Sequence, residues 1–112
     1  MPEWKDIARA DELGPGQFRL VESDGAMIAV VNLDGEYVAI ADACTHDGSP
    51  LLGSGIDACD LIEGDRISCP RHGAQFCLRT GAALAPPAWE PVAIFPVRVH
   101  DGVIQVRGDR GG

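Results

Sequence analysis

Two short segments carry side chains that bind metals. The first is Cys44-Thr45-His46-Asp47-Gly48 and the second is Cys69-Pro70-Arg71-His72-Gly73. Each offers one thiolate sulfur and one imidazole nitrogen, with one residue between them in the first segment and two in the second. Such a donor set suits zinc, or an iron–sulfur centre in which two histidines replace two cysteines on one iron. Structural zinc sites usually bring cysteines in pairs on a knuckle, and neither segment has that shape. The spacing therefore favours iron–sulfur, with zinc and metal-free residues as the alternatives. Gly48 and Gly73 leave room for tight loops.

The remaining reactive residues carry less. Cys59 and Cys77 read as small buried hydrophobes, with a disulfide between them as the lesser alternative. His100 sits on the outer face of a strand pattern without a second ligand nearby, and reads as exposed. Trp89 reads either as a docking residue or as a partly buried packing residue. The chain shows no dinucleotide fingerprint, no phosphate loop and no second metal site.

Strands must position the two boxes. Asp24-Gly25, Asp34-Gly35 and Asp101-Gly102 each lie between apolar runs, a strong hairpin signal. They predict antiparallel strands at Phe18 to Glu22, Met27 to Leu33 and Tyr37 to Ala41, and a pair formed by Ile94 to His100 and Val103 to Arg107. Phe95, Val97 and Val99 alternate with Arg98 and His100, and Ile104 and Val106 continue the apolar face. Ala8 to Leu13 reads as one helical turn ended by Gly14-Pro15-Gly16. The class is all-β, a small antiparallel sandwich or barrel. No internal repeat is read. The strand pattern weakens between Ala41 and Ala88, where all four cysteines lie. That middle part reads as a cofactor subdomain with a thin core of its own, which makes its folding depend on the cofactor.

The chain has 112 residues, enough for one domain with one modest core, and 14 glycines and 8 prolines suggest many turns. Its net charge of −8 argues against nucleic acid and suits either docking on a positively charged partner or plain solubility. No run is long enough to span a membrane, and the N-terminus lacks a secretory pattern. The expected location is the cytoplasm.

The boxes resemble those of the Rieske family, whose pattern is C-x-H followed later by C-x-x-H. The likeness extends to Phe76, Arg79-Thr80-Gly81 and Pro86-Pro87 before the closing strands, and so covers nearly the whole chain. The resemblance implies one [2Fe-2S] cluster per chain, with Cys44 and Cys69 on the inner iron and His46 and His72 on the outer iron. It implies that Pro86 and Pro87 form a loop over the third side of the cluster. It further implies a base of residues 1–40 and 89–112 and a cluster-binding subdomain at about 41–88. One departure is the long segment from 47 to 68, where 53–65 reads as an enlarged loop or extra hairpin. Within the family the chain looks like the ferredoxin components of bacterial multicomponent aromatic-ring oxygenases. These are soluble one-electron carriers between a flavin-dependent reductase and a terminal non-heme iron oxygenase, and are not themselves the catalyst. The competing readings are the small Rieske-like subunit of a nitrite reductase and a non-redox structural zinc module. High-potential relatives have a second cysteine in each box, where this chain has Ser49 and Arg71. They also have serine and tyrosine donors where it has Ala74 and Phe76, which implies a low potential.

Overall fold

Asp-Gly turns set the strand register. Asp34 and Gly35 have φ of 52° and 100°, and Asp101 and Gly102 have φ of 52° and 74°. Two successive left-handed residues give the turn whose twist matches that of antiparallel strands. The computed structural model describes residues 4–23, 26–45, 48, 50–71, 73–86 and 89–107. Asp24-Gly25 lies outside them, although the strands on either side pair as the sequence predicts.

Among the described residues, ten strands form three antiparallel sheets. Strands β2 (Phe18–Ser23), β3 (Ala26–Leu33) and β4 (Glu36–Ala41) make a meander with β3 in the centre. Strand β1 (Lys5–Arg9) pairs with β10 (Val103–Val106), which pairs with β9 (Val97–His100). Strands β5 (Ile62–Glu63), β6 (Arg66–Ser68), β7 (Gln75–Cys77) and β8 (Ala83–Ala85) make the third sheet in chain order. The chain returning from β8 is sewn to β4 by Ala41 N–H to Ala93 O at 2.8 Å and Phe95 N–H to Ala39 O at 2.9 Å.

β3 is apolar on both faces because both are covered. Ile28 and Val30 join Leu13, Phe95, Ile104 and Val106 in one buried cluster against the first and last strands. Ala29, Val31 and Leu33 join Leu51, Leu61, Ile67, Phe76 and Leu78 in another. The middle of the chain therefore does not have a thin core of its own: it shares a core with the central sheet, and Phe76, Ile67 and Leu51 are wholly buried there.

Three further readings change. The expected helical turn is shorter, Ala10–Glu12 in 3-10 form, and the residues before it are β1. β1 escaped notice because a register shift between Asp6 and Ala8 breaks its alternation. The 53–65 segment holds the end of a 3-10 turn at Leu52–Ser54, a short helix α1 at Ala58–Leu61 and β5. β9 starts at Val97, and of the segment before it Ile94 alone bridges to Ile40.

Candidate metal centre

β4 leads through Asp42 and Ala43 to Cys44, and β6 delivers Cys69 just beyond its last residue, Ser68. Both sulfur-bearing residues are buried and belong to the same core cluster. Both are thiols rather than disulfide sulfurs. His46 and His72, the two imidazole candidates, lie outside the described residues, as do Asp47, Ser49 and Pro87.

The two boxes share one backbone device. Gly48 N–H donates to Cys44 O at 2.7 Å, and Gly73 N–H donates to Cys69 O at 3.0 Å. Gly48 has φ 79° and Gly73 has φ 78°, a conformation that glycine adopts without strain. Each hydrogen bond closes a tight turn that starts at its cysteine. The differing Cys–His spacings sit inside turns of equal length.

The same turn occurs a third time. Gly81, with φ 81°, donates its N–H to Cys77 O at 2.7 Å. Cys77 N–H donates to Ala82 O at 2.9 Å, just as Cys69 N–H donates to Ala74 O at 2.6 Å. The residues match too: Cys-Pro-Arg-His-Gly-Ala at 69–74 and Cys-Leu-Arg-Thr-Gly-Ala at 77–82. This short repeat contradicts the reading of a chain without internal repeats. It was legible as Cys-x-Arg-x-Gly-Ala at a spacing of eight, but too short to stand out. In the third turn Thr80 stands where the second box has histidine. The Thr80 hydroxyl, helped by the N–H groups of Thr80 and Arg79, holds the Cys77 thiol below its ordinary value of 9.0. Partial burial and Asp65 oppose that shift.

A third segment reaches the first box. The Thr45 hydroxyl donates to Glu90 O at 2.8 Å and so ties the residue between Cys44 and His46 to the segment that follows Pro86. The sequence offered no sign of this bond, because it joins residues 45 positions apart. Pro86 is exposed, and Trp89 is 83% exposed, which removes the packing alternative for that side chain. Ala74 and Phe76 are completely buried beside the second box.

The other two cysteines divide. Cys77 is half-buried, whereas Cys59 is exposed on α1, contrary to the buried role expected of it, and neither is in a disulfide. The short helix turns Cys59 outward and buries Leu61 instead. Cys59 lies within reach of Asp57 and Asp60, the one such grouping among the described residues, and all three are exposed. His100 is exposed, with Asp101 beside it at 3.4 Å.

The donor set of the two boxes fits the iron–sulfur centre better than zinc. Two buried thiols arrive singly on separate loops, each followed in sequence by one histidine, rather than as a cysteine knuckle.

Known proteins agree. The family model of the Rieske [2Fe-2S] domain matches residues 3–96. The chain is 37% identical over 90 residues to the biphenyl dioxygenase ferredoxin subunit of Pseudomonas sp. strain KKS102, covering 80% of this chain and 78% of that one. It is 39% identical over 100 residues to the 3-phenylpropionate/cinnamic acid dioxygenase ferredoxin subunit of Photorhabdus laumondii, covering 89% and 90%. Among solved structures it is similar to a chain from the complex of reduced oxygenase and oxidized ferredoxin in carbazole 1,9a-dioxygenase. The TM-score there is 0.84 at 32% identity, over 97% of this chain and 96% of that one.

Proposed function

We infer from its membership of the Rieske [2Fe-2S] domain family that the chain, which belongs to that family, is the ferredoxin component of an aromatic-ring dioxygenase system. It is an electron carrier and not the catalyst of that system. The cluster supplies one-electron chemistry when bound. The chain's own contribution is to hold buried sulfur ligands at the start of tight turns, bar water from them, and present the remaining edge to a partner.

In this reading Cys44 and Cys69 bind the inner iron and His46 and His72 the outer iron. The observation that carries the reading is the placement of Cys44 and Cys69. Two buried thiols of one core cluster stand in matching glycine-closed turns, just past the ends of β4 and β6. Residues 41–88 act as the cluster-binding part and residues 1–40 and 89–112 as the base. The acceptor is a terminal oxygenase, by analogy with the relative solved in complex with one. The donor is a flavin-dependent reductase, and the working compartment is the cytoplasm. Among the described residues no helix is long and apolar enough to cross a membrane.

The test is a visible and electron paramagnetic resonance spectrum with iron and sulfide analysis. A brown protein with two irons and two acid-labile sulfides per chain is expected, as the cluster's formula requires. A colourless zinc protein would overturn the reading.

A further inference from the structure

Asp42 is one of two buried polar side chains among the described residues, the other being Asn32. Its Oδ1 accepts the N–H of Leu52 at 2.6 Å and its Oδ2 accepts the N–H of Gly53 at 2.9 Å. Its own N–H donates to Met27 O at 2.9 Å, which fixes it to β3. The carboxylate thus joins the end of β4 to the 3-10 turn at Leu52–Ser54, ten residues further along the chain. The loop that it closes is the one that carries Cys44, Thr45 and His46. The opposite bank is shaped for it: a Cβ on Gly53 would lie 2.8 Å from Asp42 Oδ2. Gly53 has no left-handed φ to explain the glycine, so the close approach of the carboxylate does.

A buried carboxylate is costly unless hydrogen bonds compensate it, and two N–H groups do so here. An apolar side chain would avoid that cost but would leave the N–H groups of Leu52 and Gly53 without these acceptors. What the carboxylate adds is a rigid closure and a negative charge, two residues from a cluster ligand. In a poorly screened interior such a charge opposes the arrival of an electron.

We propose that Asp42 is a positioning residue for electron transfer: it closes the first ligand loop and, through its buried charge, holds the centre's affinity for an electron down. This rests on the Rieske reading above. The measurements are the midpoint potential of the holoprotein and the rate of iron loss to a chelator. Asp42→Asn keeps the shape and one acceptor but removes the charge, so the potential rises while iron loss quickens only slightly. Asp42→Ala removes both bonds, and iron loss quickens by at least about tenfold. Gly53→Ala keeps the charge but displaces the carboxylate, so it quickens iron loss and moves the potential less than Asp42→Asn does. An unchanged potential in Asp42→Asn overturns the charge role, and a wild-type rate of iron loss in Gly53→Ala overturns the closure. These two variants decide the matter even if Asp42→Ala fails to fold. A wild-type protein without an iron–sulfur spectrum would overturn the functional reading instead, which separates the two failures.

Discussion

Each cysteine has surroundings that set its chemistry. Cys44 and Cys69 are 1% and 2% exposed, so their thiols are of use only to a group enclosed with them. Alanine at Cys44, His46, Cys69 or His72 should abolish the Rieske spectrum, whereas serine at Cys59 or Cys77 should leave it intact. Loss of the spectrum in a folded Cys59→Ser protein would contradict the assignment. Cys77 offers a second test. Its thiol is held below 9.0 chiefly by the Thr80 hydroxyl, so the thiolate is more populated at a given pH than that of an ordinary cysteine. Because the folded value is the lower one, this hydrogen bond favours the folded state above pH 9 and ceases to do so as pH falls through the folded value. Alkylation of the Cys77 peptide, followed by mass spectrometry, should reach half its maximal rate below pH 9, and Thr80→Val should raise that midpoint. The fully buried Ala74 and Phe76 give a third test, since a hydroxyl added at either is shielded from water. A donor to cluster or ligand sulfur stabilises the reduced state more than the oxidised one. At about 1–2 kcal/mol per bond, Ala74→Ser or Phe76→Tyr should raise the potential by roughly 40–90 mV. The parent value should lie near the low end of the Rieske range, about −150 mV. Film voltammetry at neutral pH reads both, and a parent potential well above zero would contradict the low-potential assignment.

Turns and the short strands between them hold these residues in place, and the third turn shows how. Gly81 is buried with φ 81°, and a Cβ there would come within 2.2 Å of Val92 O. Val92 N–H donates to Gly81 O at 2.8 Å, so this glycine joins the cysteine-bearing meander to the chain that returns to β4. Gly81→Ala combines a backbone strain with a steric clash and should cost about 2–4 kcal/mol, read by denaturant unfolding. A neutral result would mean that the turn opens without loss. Arg79, in the same turn, is paired with Glu36 at the start of β4 and lies 3.7 Å from Asp65 in the β5–β6 turn. These elements were unevenly legible in the sequence. The β2–β3–β4 meander and the β9–β10 hairpin followed from Asp-Gly turns and alternation, because their signals are local. The β6–β7–β8 strands were not legible, since three residues cannot display a period and their burial comes from the distant central sheet. The same holds within the site. The sequence spacing marked Cys44 and Cys69, whereas Thr45 and Asp42 act through partners that only the folded chain brings near.

On the scale of the molecule, charge and one apolar projection govern how the carrier meets its partners. The chain carries a net charge of −8, and exposed acids are spread over its surface, from Glu12 and Asp34 to Asp57, Glu63 and Asp101. Charge of one sign over a surface accelerates encounter with a partner of the opposite sign, and salt screens it beyond about 10 Å at 0.1 M. Trp89 is different in kind. It is 83% exposed, next to a segment that Thr45 ties to the first ligand loop. A large aromatic surface left in water beside a redox site is the feature most often found at the energetic centre of an interface. The two contributions should separate in stopped-flow measurements of electron delivery to the oxygenase. Raising ionic strength from about 0.01 M to 0.5 M should slow the second-order rate by about tenfold or more, by weakening long-range attraction. Trp89→Ala should weaken docking by about 2 kcal/mol at every ionic strength, by removing buried contact, and should leave the midpoint potential where it was. A rate indifferent to salt would show that the acidity serves solubility alone. A Trp89→Ala protein that delivers electrons as fast as its parent under subsaturating conditions would place the docking face elsewhere.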